Sequence, residues 1–262
     1  MNLKHILLFG IFIAFFSCST DSTDNPDEET DDSTLLKQTI ETDSEGEVYT
    51  TNFTYDGNKL ISVISDGGYK NIYTYENDNL VREDQYIEGE LVAYVILEYN
   101  SEGKVSIYTE SFLEASGLSP RKYKHIFTYN DGGTITNEVY TSYSDSEFEL
   151  DWTEIITLDG KNIIKVDSSD DTISYTYDNK NGAFKNIHAI EVLNLLAENE
   201  FGSLIYGNTN NATSIKYEYS SYVNIETNEF SYNDNNYPKK SIYKDFYDGS
   251  IQYETTIEYF YE

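Results

Sequence analysis

A short unit, an aromatic or aliphatic residue, then usually Thr, then Tyr and an acidic or amide residue, returns along most of this chain. Phe53-Thr54-Tyr55-Asp56-Gly57-Asn58-Lys59-Leu60 is echoed by Ile156-Thr157-Leu158-Asp159-Gly160-Lys161-Asn162-Ile163. Looser copies are Tyr73-Thr74-Tyr75-Glu76, Leu97-Glu98-Tyr99-Asn100, Phe127-Thr128-Tyr129-Asn130, Tyr175-Thr176-Tyr177-Asp178 and Phe230-Ser231-Tyr232-Asn233. From Tyr55 to Tyr75, Tyr99 and Tyr129 the steps are 20, 24 and 30 residues, the length of one hairpin each. Within the units the pattern has period two. Tyr49, Thr51, Phe53 and Tyr55 share one side, and Ile251, Tyr253, Thr255, Ile257, Tyr259 and Tyr261 do the same near the end. Asp-Gly at 56–57, 66–67, 131–132, 159–160 and 248–249 accepts the positive φ of tight hairpin turns. The expectation is all-β: an antiparallel meander of repeated hairpins forming an elongated, twisted or partly rolled sheet over 35–262.

These motifs resemble the tyrosine–aspartate (YD, RHS-like) repeats, and more closely the uncharacterised Bacteroidota lipoproteins built from such units. One segment breaks the pattern. After Tyr177-Asp178-Asn179-Lys180-Asn181-Gly182, Ile190, Leu193, Leu196 and Ala197 recur at helical spacing with Glu191, Asn194 and Glu198 outside. This predicts one short helix near 187–198, laid on the sheet and closing its core.

The N-terminus reads as an address. Lys4 precedes an apolar run from Ile6 to Phe16, too short to cross a bilayer but suited to a secretory signal. Phe15-Phe16-Ser17-Cys18 resembles the lipobox of bacterial lipoproteins, and Cys18 is the sole cysteine. The resemblance implies cleavage after residue 17 and lipidation of Cys18, which makes a membrane the first partner. A diacylated cysteine supplies the two chains that stable anchoring needs. Residues 18–34 then form an acidic flexible tether, with seven Asp or Glu and no basic residue after Cys18. Acids so close to the lipidated position look like the surface-export signal of Bacteroidota lipoproteins. Hence the expected location is the outer membrane, at the cell surface or otherwise on the periplasmic face.

Seventeen Lys and Arg stand against 47 Asp and Glu, a formal charge of −30, which opposes nucleic-acid binding. One cysteine excludes a disulfide scaffold. No cofactor or metal motif is present, and His125 reads as a plain strand residue. Glu147, Glu149 and Asp151 alternate with Phe148, Leu150 and Trp152, so a regular strand would place the three acids on one acidic face. Tyr143, Tyr206 and Tyr222, near presumed loops, are the candidate aromatic surface. The sequence thus points to a non-enzymatic binding or interaction module for a glycan or an envelope protein. The alternatives are a structural spacer or surface-layer component, and a carboxylate-dependent glycan hydrolase.

Overall fold

The computed structural model describes residues 34–117, 119–144, 146–197, 209–247 and 249–262. The expected signal, Cys18, nearly all of the tether and Tyr206 lie outside the described residues. Sixteen strands follow one another: β1 Leu36–Thr42, β2 Val48–Asp56, β3 Lys59–Ser65, β4 Tyr69–Glu76, β5 Asn79–Ile87, β6 Glu90–Tyr99, β7 Val105–Phe112, β8 Arg121–Tyr129, β9 Thr134–Tyr143, β10 Glu149–Asp159, β11 Asn162–Asp167, β12 Asp171–Tyr177, β13 Ala212–Tyr219, β14 Val223–Tyr232, β15 Pro238–Tyr247 and β16 Ser250–Tyr261. The helix α1, Ile190–Ala197, lies between β12 and β13.

Each strand pairs antiparallel with the next, as the repeats predict. The outline differs from the expected elongated or partly rolled sheet, because β1 also pairs with β16 (Thr39↔Tyr259, Glu41↔Ile257) and the sheet closes into a barrel. Closure follows from strand twist, which accumulates over many strands, and it pairs the backbone groups that two free edges would leave open.

The repeated motif marks a recurring bulge. Opposite Tyr55, Tyr75, Tyr99, Leu158 and Tyr177 the returning strand carries one extra residue, as in Thr54↔Ser62 followed by Tyr55↔Leu60. Alternation therefore slips by one, and the inward pairs are three apart: Leu60 and Val63, Leu80 and Glu83, Val105 and Tyr108, Ile163 and Val166, all buried. The motif tyrosine has a second task. Its hydroxyl donates to a backbone carbonyl of the preceding hairpin, Tyr55 to Leu36 (2.8 Å), Tyr99 to Leu80 (2.7 Å), Tyr129 to Val105 (3.0 Å) and Tyr177 to Ile163 (2.6 Å). Tyr75 takes the equivalent place beside Leu60. Burial pushes the Tyr99 phenol up to about 12, so it remains a donor at neutral pH.

Eight strands make a barrel that side chains can fill; sixteen leave a wider lumen. At the rim of the motif turns, the segment between β12 and β13 fills it. Phe184, Ile187, Ile190, Leu193 and Leu195 join Leu36, Phe53, Leu60, Leu80, Val105 and Ile135 in one core, with Phe184 edge-on to Phe53 at 5.2 Å. Asparagines pin this plug to the surrounding turns: Asn186 Nδ2 donates to Tyr237 Oη (2.8 Å) and to the Thr34 carbonyl (3.0 Å), and Asn211 Nδ2 donates to Asp178 Oδ2 (3.1 Å) and the Asn181 carbonyl (3.0 Å). The His188 ring bonds the Asp78 carbonyl at 2.6 Å. The predicted helix is present with Ile190 and Leu193 buried, but Asn194, expected outside, is only 4% exposed. A helix set into the end of a barrel is walled on more than one side, so of the positions expected outside Glu191 is exposed while Asn194 is covered.

The outer wall carries charge in mid-strand. Arg82 pairs with Asp84 (2.5 Å), Lys165 with Asp167 (2.8 Å), Lys216 with Glu218 (2.7 Å) and Lys244 with Glu229 (3.2 Å). Across strands, Arg82 sits over Tyr94 at 4.5 Å and Lys124 over Tyr140 at 5.1 Å. A strand-inserted membrane barrel needs a continuous apolar band about 25 Å tall on this face. On this wall the charged pairs stand in mid-strand, beside exposed Ile64, Ile155 and Ile225.

Candidate functional site

The other rim, here called the mouth, is formed by the turns at 43–47, 66–68, 88–89, 113–120, 144–148, 168–170, 220–222 and 248–249. Most of the exposed large apolar side chains of the described residues gather there, including Tyr69 (59% exposed), Tyr143 (58%), Val48 (56%), Leu150 (54%), Ile251 (52%) and Tyr222 (46%). Tyr222 stacks on Tyr219 at 4.4 Å, and Tyr219 on Tyr217 at 6.4 Å, so an aromatic file leads from the rim inward. Two of the sequence candidates, Tyr143 and Tyr222, thus stand on the same rim.

Below the mouth the lumen wall has two polar sectors. In β8–β10, Asn137 Nδ2 faces His125 Nδ1 at 3.1 Å and donates to Glu154 Oε1 at 2.6 Å. His125 stacks on Tyr108 at 4.6 Å and is 2% exposed, while Asn137 is 1% exposed with a buried Oδ1 that has no partner. The carboxylate fixes the amide orientation, since a flipped Asn137 would turn its oxygen toward Glu154. Burial pushes the imidazole down to about 4, a shift that the Asn137 bond opposes. His125 is therefore neutral at neutral pH, with Nδ1 as acceptor. Burial also raises the Glu154 carboxyl. His125 does lie in a strand as expected, but it faces the lumen as part of a buried polar chain.

In β13–β16 the wall is half-exposed and richer in acceptors. Glu226 and Asp245 are directly opposed across β14 and β15, and Tyr253 follows on β16. Burial, more than the neighbouring Asp245 charge, raises the Glu226 carboxyl. Tyr217, Tyr243 and Tyr253 frame the pair. Asp245 Oδ1, Asn224 Oδ1, Asn228 Oδ1 and Thr255 Oγ1 are buried without partners.

Glu147, Glu149 and Asp151 are all exposed at the mouth. The regular strand face read from their spacing is not formed. Glu147 precedes β10, and a bulge between Leu150 and Trp152 lets Asp151 accept from Thr141 Oγ1 at 2.8 Å. The same bulge sends Trp152 to the lumen side, opposite Val139 and 6.3 Å from the Tyr123 ring, whereas Phe148 lies against the Lys124 ammonium at 4.5 Å. Among the described residues no group of three His, Cys, Asp or Glu is arranged as metal ligands. A cleft of about 710 Å³ beside α1 is lined by Asn58, Asp78, Lys161, Asn186, His188 and Glu191 among others. Its polar groups are committed to one another, as in Lys161–Glu191 (2.7 Å) and Lys59–Asp78 (2.5 Å), so it reads as part of the plug seam.

No family model matches the sequence, and no curated protein matches it. A solved structure does: a porin-like protein from Bacteroides uniformis ATCC 8492, 12% identical, covering 87% of this chain and 98% of that one with a TM-score of 0.51. The likeness is one of fold.

Proposed function

We propose that this chain is a non-enzymatic cell-envelope lipoprotein whose barrel mouth captures a ligand. The observation that carries the reading is the concentration of exposed tyrosine and aliphatic side chains on one rim, above polar lumen walls whose buried acceptors lack partners. Exposed large apolar side chains gathered at one rim mark an interaction site, and amphipathic Tyr suits contact with sugar rings or with a protein segment. Cys18 supplies the attachment to the outer membrane and residues 18–34 the tether. A charged outer wall agrees with a barrel held by lipid rather than by its own strands, although its architecture is porin-like.

Calorimetric titration of the lipid-free mature protein with a panel of surface oligosaccharides and envelope proteins tests the reading. One saturable ligand is expected, with Tyr143→Ala plus Tyr222→Ala weakening it at least tenfold while the thermal midpoint holds. Silence across the panel overturns it. Incorporation of labelled fatty acid that is abolished by Cys18→Ser tests the anchor.

A further inference from the structure

The partnerless acceptors of the β14–β16 wall have an order that a random lining would not. Asn224, Glu226 and Asn228 follow every second position along β14 and face the lumen together, with Asp245 beside Glu226. Same-face residues on a strand stand about 6.5–7 Å apart. Asn224 Oδ1, Asn228 Oδ1 and Asp245 Oδ1 are buried and unpaired, and Thr255, opposite Tyr243 and 2% exposed, adds an unpaired hydroxyl. We infer that this wall binds a linear oligoamine, a flexible chain whose successive ammonium groups are taken by successive rungs of the β14–β15 ladder.

The inference rests on the mouth being a ligand site, and it names the chemistry of what enters. The primary ammonium ends of an oligoamine bring three donors each and its internal secondary ammoniums two, none with an acceptor, which suits a wall of acceptors. Tyr217 and Tyr243 already donate to the Glu226 carboxyl, but a neutral sugar, with as many acceptors as donors, brings no positive charge to the Glu226–Asp245 pair. The lysines of these strands cannot compensate it either, since Lys216, Lys240 and Lys244 occupy the alternate, outward positions. Leaving a buried acceptor unpaired is costly, so a donor-rich ligand relieves a standing penalty. Tyr243 and Tyr253 border the row and offer ring faces to a cation. A single metal ion fits poorly, because an ion holds oxygens at about 2.3–2.6 Å and these are spread along a strand.

Spermine is the probe. Titrated into the mature protein at physiological ionic strength, it is expected to bind once per barrel and saturably. Glu226→Gln with Asp245→Asn should weaken binding at least tenfold, and Thr255→Val severalfold. The outward pair Glu229→Gln with Glu258→Gln removes the same charge and should leave binding within twofold. Carbodiimide coupling of spermine to the unaltered protein, followed by peptide mapping, should place the adducts on Glu226 and Asp245, which keeps the test independent of how the variants fold. Many weak sites, equal loss in the outward pair, or adducts confined to outer carboxylates overturn the inference. If spermine fails while a neutral glycan or a protein binds through Tyr143 and Tyr222, the mouth reading stands and the oligoamine falls; if nothing binds, both fall.

Discussion

The two rims of the barrel are made by the same sixteen strands, yet they use tyrosine in opposite ways. At the plugged rim Tyr55, Tyr99, Tyr129 and Tyr177 turn inward, lie half-buried, and each donates to a carbonyl of the preceding hairpin. At the mouth Tyr69, Tyr143 and Tyr222 stand exposed. The internal repetition of the sequence belongs to the first rim. There one local solution, a bulge with a tyrosine from the next hairpin, recurs because each joint poses the same problem of an unmatched carbonyl. The mouth turns do not carry the repeated tyrosine motif and differ in length, from two residues at 88–89 to eight at 113–120. Where a chain repeats itself it is solving a structural problem, and where the same hairpins diverge it is free to recognise something.

That contrast can be broken experimentally. The largest effect is expected in the plug: Leu193→Ala, at a fully buried position, should lower unfolding free energy by about 2–5 kcal/mol in denaturant titration. Tyr143→Ala at the mouth should stay within about 0.5 kcal/mol; equal losses would erase the distinction between the rims. Next comes pH. His125 has its folded pKa pushed down to about 4 from its ordinary 6.5, so between these values the unfolded chain binds a proton that the folded one refuses. Stability should therefore fall as pH drops from about 6.5 towards 4, by up to roughly 3 kcal/mol. Buried Glu154 and Glu226, whose carboxyls are raised, act in the opposite sense, so the difference between wild type and His125→Gln isolates the imidazole. An unchanged pH profile in that variant would refute the assignment. Smaller still, Tyr99→Phe should cost about 1 kcal/mol by leaving the Leu80 carbonyl unpaired, while Tyr69→Phe should not register. Smallest is Lys216→Ala on the outer wall, where an exposed ion pair with Glu218 contributes about 0–1 kcal/mol.

Strands and turns were legible because both are local. Alternation places Tyr49, Thr51, Phe53 and Tyr55 on one side, and the described Asp-Gly turns fall where predicted. The bulges were less visible, although their signal is present: Leu60 with Val63, and Leu80 with Glu83, are three apart where strict alternation demands two. Closure was not legible, since nothing in Leu36–Thr42 announces Tyr261 as a neighbour 225 residues away. The lumen sites depend on closure and were missed with it. A hint lies in β14, where Ile225 and Thr227 alternate with Asn224, Glu226 and Asn228: the wetter side of that strand is the one turned inward.

The ends of the ladder meet at the plugged rim. Leu35 and Glu262 exchange backbone hydrogen bonds at 3.3 and 3.1 Å, and β1 is paired on both sides, with β2 and with β16. A pull on Thr34 against a load held at the mouth would run along β1, and two ladders would have to shear at once rather than peel open bond by bond. The barrel is therefore strung in its mechanically resistant direction: pulled from residue 34 against its opposite rim, both ladders of β1 resist together.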